Sequence, residues 1–397
     1  MNRSTDFIPF ARPCLGEEEE TAVLRVMRGG WLTTATESAA FEREFALAAG
    51  AEHAIAVNSA TAGLHLALEA VGVGPDDRVA MSPYTFTACA EVVRYLGADP
   101  LFVDIDPRTL TICPQALRRA LEGAAAEARP VRAIMPVHVA GLRCDMQTIT
   151  ALAAEHGAVV VEDAAHCVPH LAGRRCNSAQ GVVSVYSFYA TKPITTGEGG
   201  MAVTDDAPLA DRMRTMRLHG IDRDAWERYR ATSPAWQYDV VAAGFKYNLP
   251  DLQAAIGRVQ LGRARELLLH RARIAATYRR SLADVSSLML PPDSADHSHH
   301  LFIVRIRPRT LSISRDRVIE LLARDGIGAS VHYRPLHLMS YYRDRYGLKP
   351  GDFPLSLEAY EGALSLPLYA GLTQEQIGRV IGSLRAICSQ HHRVESR

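Results

Sequence analysis

The 397-residue chain balances 44 Lys+Arg against 44 Asp+Glu, so it lacks the basic field that holds a nucleic-acid backbone or an anionic membrane, and a small molecule is the first expectation for its partner. That length exceeds one ordinary domain and predicts a large unit, a smaller one and a cleft. Seven cysteines (14, 89, 113, 144, 167, 176, 388) are odd in number and form no CxxC pair, which argues against a disulfide framework or zinc site and for a reducing compartment.

Residues 1–13 are polar and do not read as a signal peptide, and no stretch approaches the roughly 18 uninterrupted apolar residues of a membrane span, so the cytoplasm is expected. From about 54 to 205, short apolar runs near 54–57, 79–82, 100–104, 132–138, 158–162, 182–188 and 200–204 alternate with helical patterns, which predicts an α/β sheet. Leu64, Ala67, Leu68 and Val71 fall at i, i+3, i+4 and i+7, one face of a helix that packs on it. No GxGxxG fingerprint follows the early strands. The mixed-charge, aromatic interval 221–247 reads as an excursion outside the sheet, crossing to a partner subunit. A long helix over 252–283, broken or bent somewhere, a strand at 300–306 and helices near 314–325 and 373–388 predict a smaller α+β unit. The expected domains are 1–250 and 251–397.

The segment SFYATKPITTGEGG (187–200) places Lys192 after a strand and before a glycine-rich return. An amine that forms an imine must be deprotonated, which desolvation or nearby positive charge favours. The run VVVEDAAH (159–166) delivers Glu162 and Asp163 at a strand's carboxyl end, where open α/β sheets bind ligands. A carboxylate there is suited to keep a pyridine nitrogen protonated, as an electron sink requires, and Asp163 is the choice over a simple N-cap role. The turn Asn58–Gly63 opens the amphipathic helix with backbone N–H groups and two hydroxyls, a phosphate site or merely a good cap. Phe86 would sit at the same sheet edge and stack on a flat ring, and Ser187 would add a hydroxyl to the phosphate. Together these features predict a pyridoxal 5'-phosphate (PLP) enzyme.

The chain resembles the nucleotide-sugar aminotransferases of the DegT/DnrJ/EryC1/StrS family, within the fold type I PLP enzymes. The likeness runs through GGWLTT (29–34), NSATAGLHLAL (58–68), PVHVAG (136–141), VEDAAH (161–166), SFYATKPITTGEGG (187–200), GFKYNLPDLQAAIG (244–257), HYRPLHL (332–338) and ALSLPLY (363–369). It implies a large domain with a mainly parallel seven-stranded sheet flanked by helices, and a smaller α+β C-terminal domain. It also implies that Lys192 forms the internal aldimine and shuttles the proton, that Asp163 pairs with the pyridine nitrogen, and that His166 lies near the phenolic oxygen. Thr61, Ala62 and Ser187 become phosphate ligands and Phe86 the stacking aromatic. Asn248 would reach the neighbouring subunit's phosphate, which implies a homodimer with shared sites. Thr33, His219, His332 and His337 are substrate candidates, and no metal is implied.

The implied reaction moves an amino group from L-glutamate to a keto group of a nucleotide-linked sugar, C4 being the first expectation, by way of pyridoxamine phosphate. Pro193 stands where the family often has asparagine, and Ala35-Thr36 where it has a Gly-Pro pair, beside the expected sugar pocket. Those departures bear on the acceptor. A cyclitol or inosose aminotransferase, a decarboxylase or racemase, and a non-catalytic protein of this fold are the alternatives, while a sugar dehydratase would carry histidine in place of Lys192.

Overall fold

The computed structural model describes residues 7–169, 183–222 and 238–393. Two helices come first, α1 (Glu17–Gly29) and α2 (Thr36–Ala49), each closed by a left-handed glycine, Gly30 and Gly50. Ala35 precedes α2 and offers no side-chain acceptor for the helix's unpaired N–H groups. Asp251 supplies one from across the fold, accepting from the backbone of Ala35 (2.7 Å), Ser38 (3.0 Å) and Glu37 (3.1 Å).

Strands and helices then alternate: β1 (His53–Val57), α3 (Ala60–Ala70), β2 (Arg78–Met81), α4 (Ala88–Tyr95), β3 (Asp99–Phe102), α5 (Pro114–Ala126), β4 (Val131–Met135), α6 (Met146–Glu155), β5 (Val159–Asp163), β6 (Val183–Ser187), β7 (Gly200–Thr204) and α7 (Ala207–Met216). They build the expected seven-stranded sheet, ordered β1-β7-β6-β5-β4-β2-β3. It is parallel except for β7, which runs antiparallel to both β1 and β6. The strand expected over 132–138 ends at Met135, because Pro136 has no N–H for the ladder. The predicted face of α3 (Leu64, Ala67, Leu68, Val71) is buried. His65 on another side is buried too, because Phe245 and Tyr247 pack over it.

The helix over 252–283 is one continuous element, α8 (Asp251–Leu282), and the expected break is not there. Gly257 serves packing: a Cβ on it would come within 2.6 Å of the Phe41 ring. The first part of α8 buries Ala254, Leu261 and Leu268 among Phe41, Phe45 and Phe188. Its last part buries Ile274, Tyr278 and Leu282 against the smaller sheet. That sheet comprises β8 (Leu288–Met289), β9 (Phe302–Ile306) and β10 (Ala363–Leu366), antiparallel in the order β10-β9-β8. Around it lie α9 (Arg315–Arg324), α11 (Pro354–Gly362) and α12 (Gln374–Gln390), the last begun by a Thr373/Gln376 capping box, whereas α10 (Ser340–Tyr346) packs on the large unit, Tyr342 against Phe102.

Of the expected excursion over 221–247, residues 223–237 lie outside the described residues. The remainder returns alongside the large sheet, Lys246 bridging Leu218 and Asn248 bridging Val57.

Candidate active site

β5 and β6 are parallel neighbours, so their carboxyl ends open on the same side of the sheet. β5 ends at Asp163 and β6 at Ser187, and the loop after β6 carries Lys192. Burial drives the Lys192 pKa down to about 8, against the opposing pull of the Asp163 carboxylate. Asp163 is itself buried. Its Oδ1 accepts from the backbone of Ala165 (2.9 Å), and its Oδ2 from the thiol of Cys89 (2.9 Å). Burial and then the Asp163 charge hold the Cys89 thiol well above its usual pKa, so it stays a neutral donor.

Beneath Asp163 lies a second buried pair, His138 Nε2 at 2.9 Å from Glu162 Oε2. The backbone N–H of Cys144 lies 3.3 Å from Nδ1 and can only donate, so the ring hydrogen sits on Nε2 and is donated to the Glu162 carboxylate.

The turn before α3 has the form of an anion cradle. Ser59 caps the helix, its Oγ accepting from Ala62 N at 3.1 Å. β7 approaches so closely that a Cβ on Gly200 would lie 2.7 Å from Ala60 N and from the Ser59 carbonyl carbon. Gly63 is likewise required, because a Cβ there would meet Val185 at 2.7 Å. Thr61 lies in the first turn of α3, partly exposed, next to the buried Ala62.

His166 is buried below its ring neighbours His300 (4.4 Å between centroids) and Tyr333 (6.0 Å, nearly parallel). Burial, then Lys192 and His332, lower its pKa well below the usual value, so the ring is neutral. Phe86 is 60 % exposed at the mouth, its ring 6.5 Å from Tyr333. His332 stacks on Phe10 (5.4 Å) and meets Ser365 Oγ through Nδ1 (2.8 Å). Burial and then the charge of Lys192 push its pKa down to about 4.

Of the remaining candidates, Asn248 flanks the cradle, bridging Val57 at the end of β1. His337 is buried against Phe353, with Asp104 and Asp352 as the charges acting on it. His219 is exposed on a left-handed backbone (φ 62°), its N–H donated to Phe245 O. Thr33 is exposed, one residue before the buried Thr34. Asn248 is buried, its Nδ2 donating to Thr34 Oγ1 (2.7 Å) and its Oδ1 accepting from Lys246 (2.6 Å). Sequence reasoning missed Cys89, Tyr333, His300 and the pairing of His138 with Glu162. Tyr333 lay inside the HYRPLHL segment, where the histidines drew attention first.

The donor set suits PLP: an amine of lowered pKa, a carboxylate at the adjacent strand end and a helix N-terminus pressed close by Gly200. Among the described residues no group of His, Cys, Asp and Glu side chains is placed to hold a metal ion, and no helix is long and apolar enough to cross a membrane.

The chain is 40 % identical over 390 residues to the Bacillus subtilis spore coat polysaccharide biosynthesis protein SpsC, covering 98 % of each. Its fold matches the PMP form of Streptococcus pneumoniae Spr1654 with a TM-score of 0.88 at 29 % identity, covering 96 % of this chain and 99 % of that one. The PLP form of the same protein matches at a TM-score of 0.86. Helicobacter pylori PseC, an aminotransferase involved in the biosynthesis of pseudoaminic acid, matches at 0.87 with 26 % identity, covering 97 % of this chain and 100 % of that one. The DegT/DnrJ/EryC1/StrS aminotransferase family model covers residues 13–385, so the chain belongs to that family of PLP-dependent sugar aminotransferases with the type I fold.

Proposed function

We propose that this protein transfers the amino group of L-glutamate to the C4 keto carbon of a nucleotide-linked sugar, releasing 2-oxoglutarate and an amino sugar. It would act in the cytoplasm as a homodimer with shared sites, Asn248 serving the partner's phosphate. The observation that carries the chemistry is Lys192, an amine brought down to a pKa of about 8 beside the Asp163 carboxylate. The sugar acceptor is supported by the polysaccharide and pseudoaminic acid roles of SpsC and PseC.

When bound, PLP supplies an electron sink for charge developing on the carbon that loses a proton. Lys192 takes that proton and returns it to a second carbon, which requires a partly neutral amine held near both. Asp163 keeps the ring nitrogen protonated. The N–H groups of Thr61 and Ala62, the latter turning from its cap on Ser59 Oγ, with the hydroxyls of Thr61 and Ser187 would hold the phosphate, and Phe86 would cover one ring face. Thr33, His219, His332 and His337 are assigned to the substrate side.

The test is incubation of the PLP-loaded protein with L-glutamate and a panel of nucleotide-linked 4-keto and 3-keto sugars and inososes, read by mass. An amino product from a 4-keto nucleotide sugar, matched by 2-oxoglutarate, is expected. Turnover of inososes alone would overturn the acceptor, and absence of 2-oxoglutarate the donor.

A further inference from the structure

His166 has both ring nitrogens committed. The backbone N–H of Ala140 lies 3.1 Å from Nδ1, and a backbone amide can only donate, so Nδ1 carries no hydrogen. The ring is then neutral with its hydrogen on Nε2, which lies 2.8 Å from the Tyr333 hydroxyl. His166 therefore donates, and the phenol oxygen accepts. Local backbone is spent on this arrangement: Ala140 is held left-handed (φ 59°), and a Cβ on Gly141 would lie 2.8 Å from His166 O and from Ser298 Cβ.

With its oxygen fixed by His166, Tyr333 retains its own hydrogen for a second partner. Its ring stands between Phe86 (6.5 Å) and His166 (6.0 Å), and the charge of Asp163 acts on the phenol. Burial above all holds its pKa well above the usual value, so the hydrogen is kept at any working pH.

We infer that Tyr333 is the hydrogen-bond donor to the anionic ring oxygen of PLP, and that His166 is the positioning residue that aims it. The inference rests on the site assigned above and moves the contact expected of His166 onto the tyrosine. A donor there stabilises the ionised oxygen, so its removal must raise the pH at which the cofactor's visible absorbance titrates.

Tyr333→Phe should raise that midpoint by about one pH unit or more, the shift a hydrogen bond to a charged group gives. His166→Ala, which leaves the hydroxyl unaimed, should raise it less. In the cofactor-free protein, ring ¹⁵N spectra assigned with the same alanine variant should show His166 bare at Nδ1 and protonated at Nε2. An Nδ1–H tautomer, or an unmoved midpoint in Tyr333→Phe with the band present, overturns the inference alone. If that variant fails to fold, 3-fluorotyrosine at 333 carries the test: the stronger donor should lower the midpoint, and no change overturns the claim. A wild-type protein with no visible band after PLP addition would sink the site assignment and this inference together.

Discussion

Cys89 donates its thiol hydrogen to Oδ2 of Asp163 across 2.9 Å, and its sulfur lies 3.1 Å from the Thr85 hydroxyl. One carboxylate oxygen is thus tied to α4 and the other to the backbone of Ala165, which fixes the direction in which Asp163 faces the cavity.

Removing that donor should loosen Asp163 without emptying the site. Cys89→Ala is expected to weaken PLP binding by about fivefold, the cost of one hydrogen bond near 1 kcal/mol. Cys89→Ser, which keeps a donor, should restore most of it. Titration of cofactor-free protein with PLP, followed in the visible, checks both.

Lys192 sets a pH dependence whose sign follows from its charge. Its amine reacts only when neutral, and its pKa is lowered to about 8, so PLP capture by cofactor-free protein should speed up as pH rises through 8 and level off above. The Asp163 charge opposes the lowering, so Asp163→Asn should move the midpoint toward acid. Stopped-flow capture rates measure the shift; a midpoint that moves toward base contradicts the coupling. Lys192→Arg, charged throughout, should show neither capture nor turnover.

Much of this architecture was legible in the sequence. Each strand of the large sheet announced itself by a short apolar run, and Asp163, Ser187 and Lys192 followed from their places at strand ends. Contacts made across distant segments were not legible. Ala140 meets His166 only because a left-handed turn folds back on it, and Tyr333 arrives from 167 residues away. His337 shows the converse: one motif, HYRPLHL, sends His332 toward Lys192 and buries His337 against Phe353. Spacing gives no warning of that, because the side a side chain faces in an irregular segment is decided by packing. The helix α8 runs unbroken from Asp251 to Leu282, and its Gly257 answers to the Phe41 ring.

Gly200 links the sheet to the anion cradle. A methyl group there would sit 2.7 Å from the backbone of Ser59 and Ala60, which cannot yield without shifting the start of α3. Gly200→Ala should therefore weaken PLP binding by about tenfold or more, the equivalent of roughly 1.4 kcal/mol or more lost at the phosphate. Pyridoxal, which lacks the phosphate, should bind the variant and the wild type alike. Equal losses for both ligands would mean that the damage is global.

Asp251 carries a stability prediction that is independent of the cofactor. Its carboxylate accepts three backbone N–H groups at the start of α2 while standing in the first turn of α8. Asp251→Ala strands those donors in a largely buried corner and should cost about 2 kcal/mol. Asp251→Asn retains an acceptor oxygen but loses the charge, so it should cost about half as much. Chemical denaturation of the cofactor-free variants checks the order. If alanine proved no worse than asparagine, capping would not be what Asp251 contributes, and the two helices would owe their junction to the packing of α2 against α8 alone.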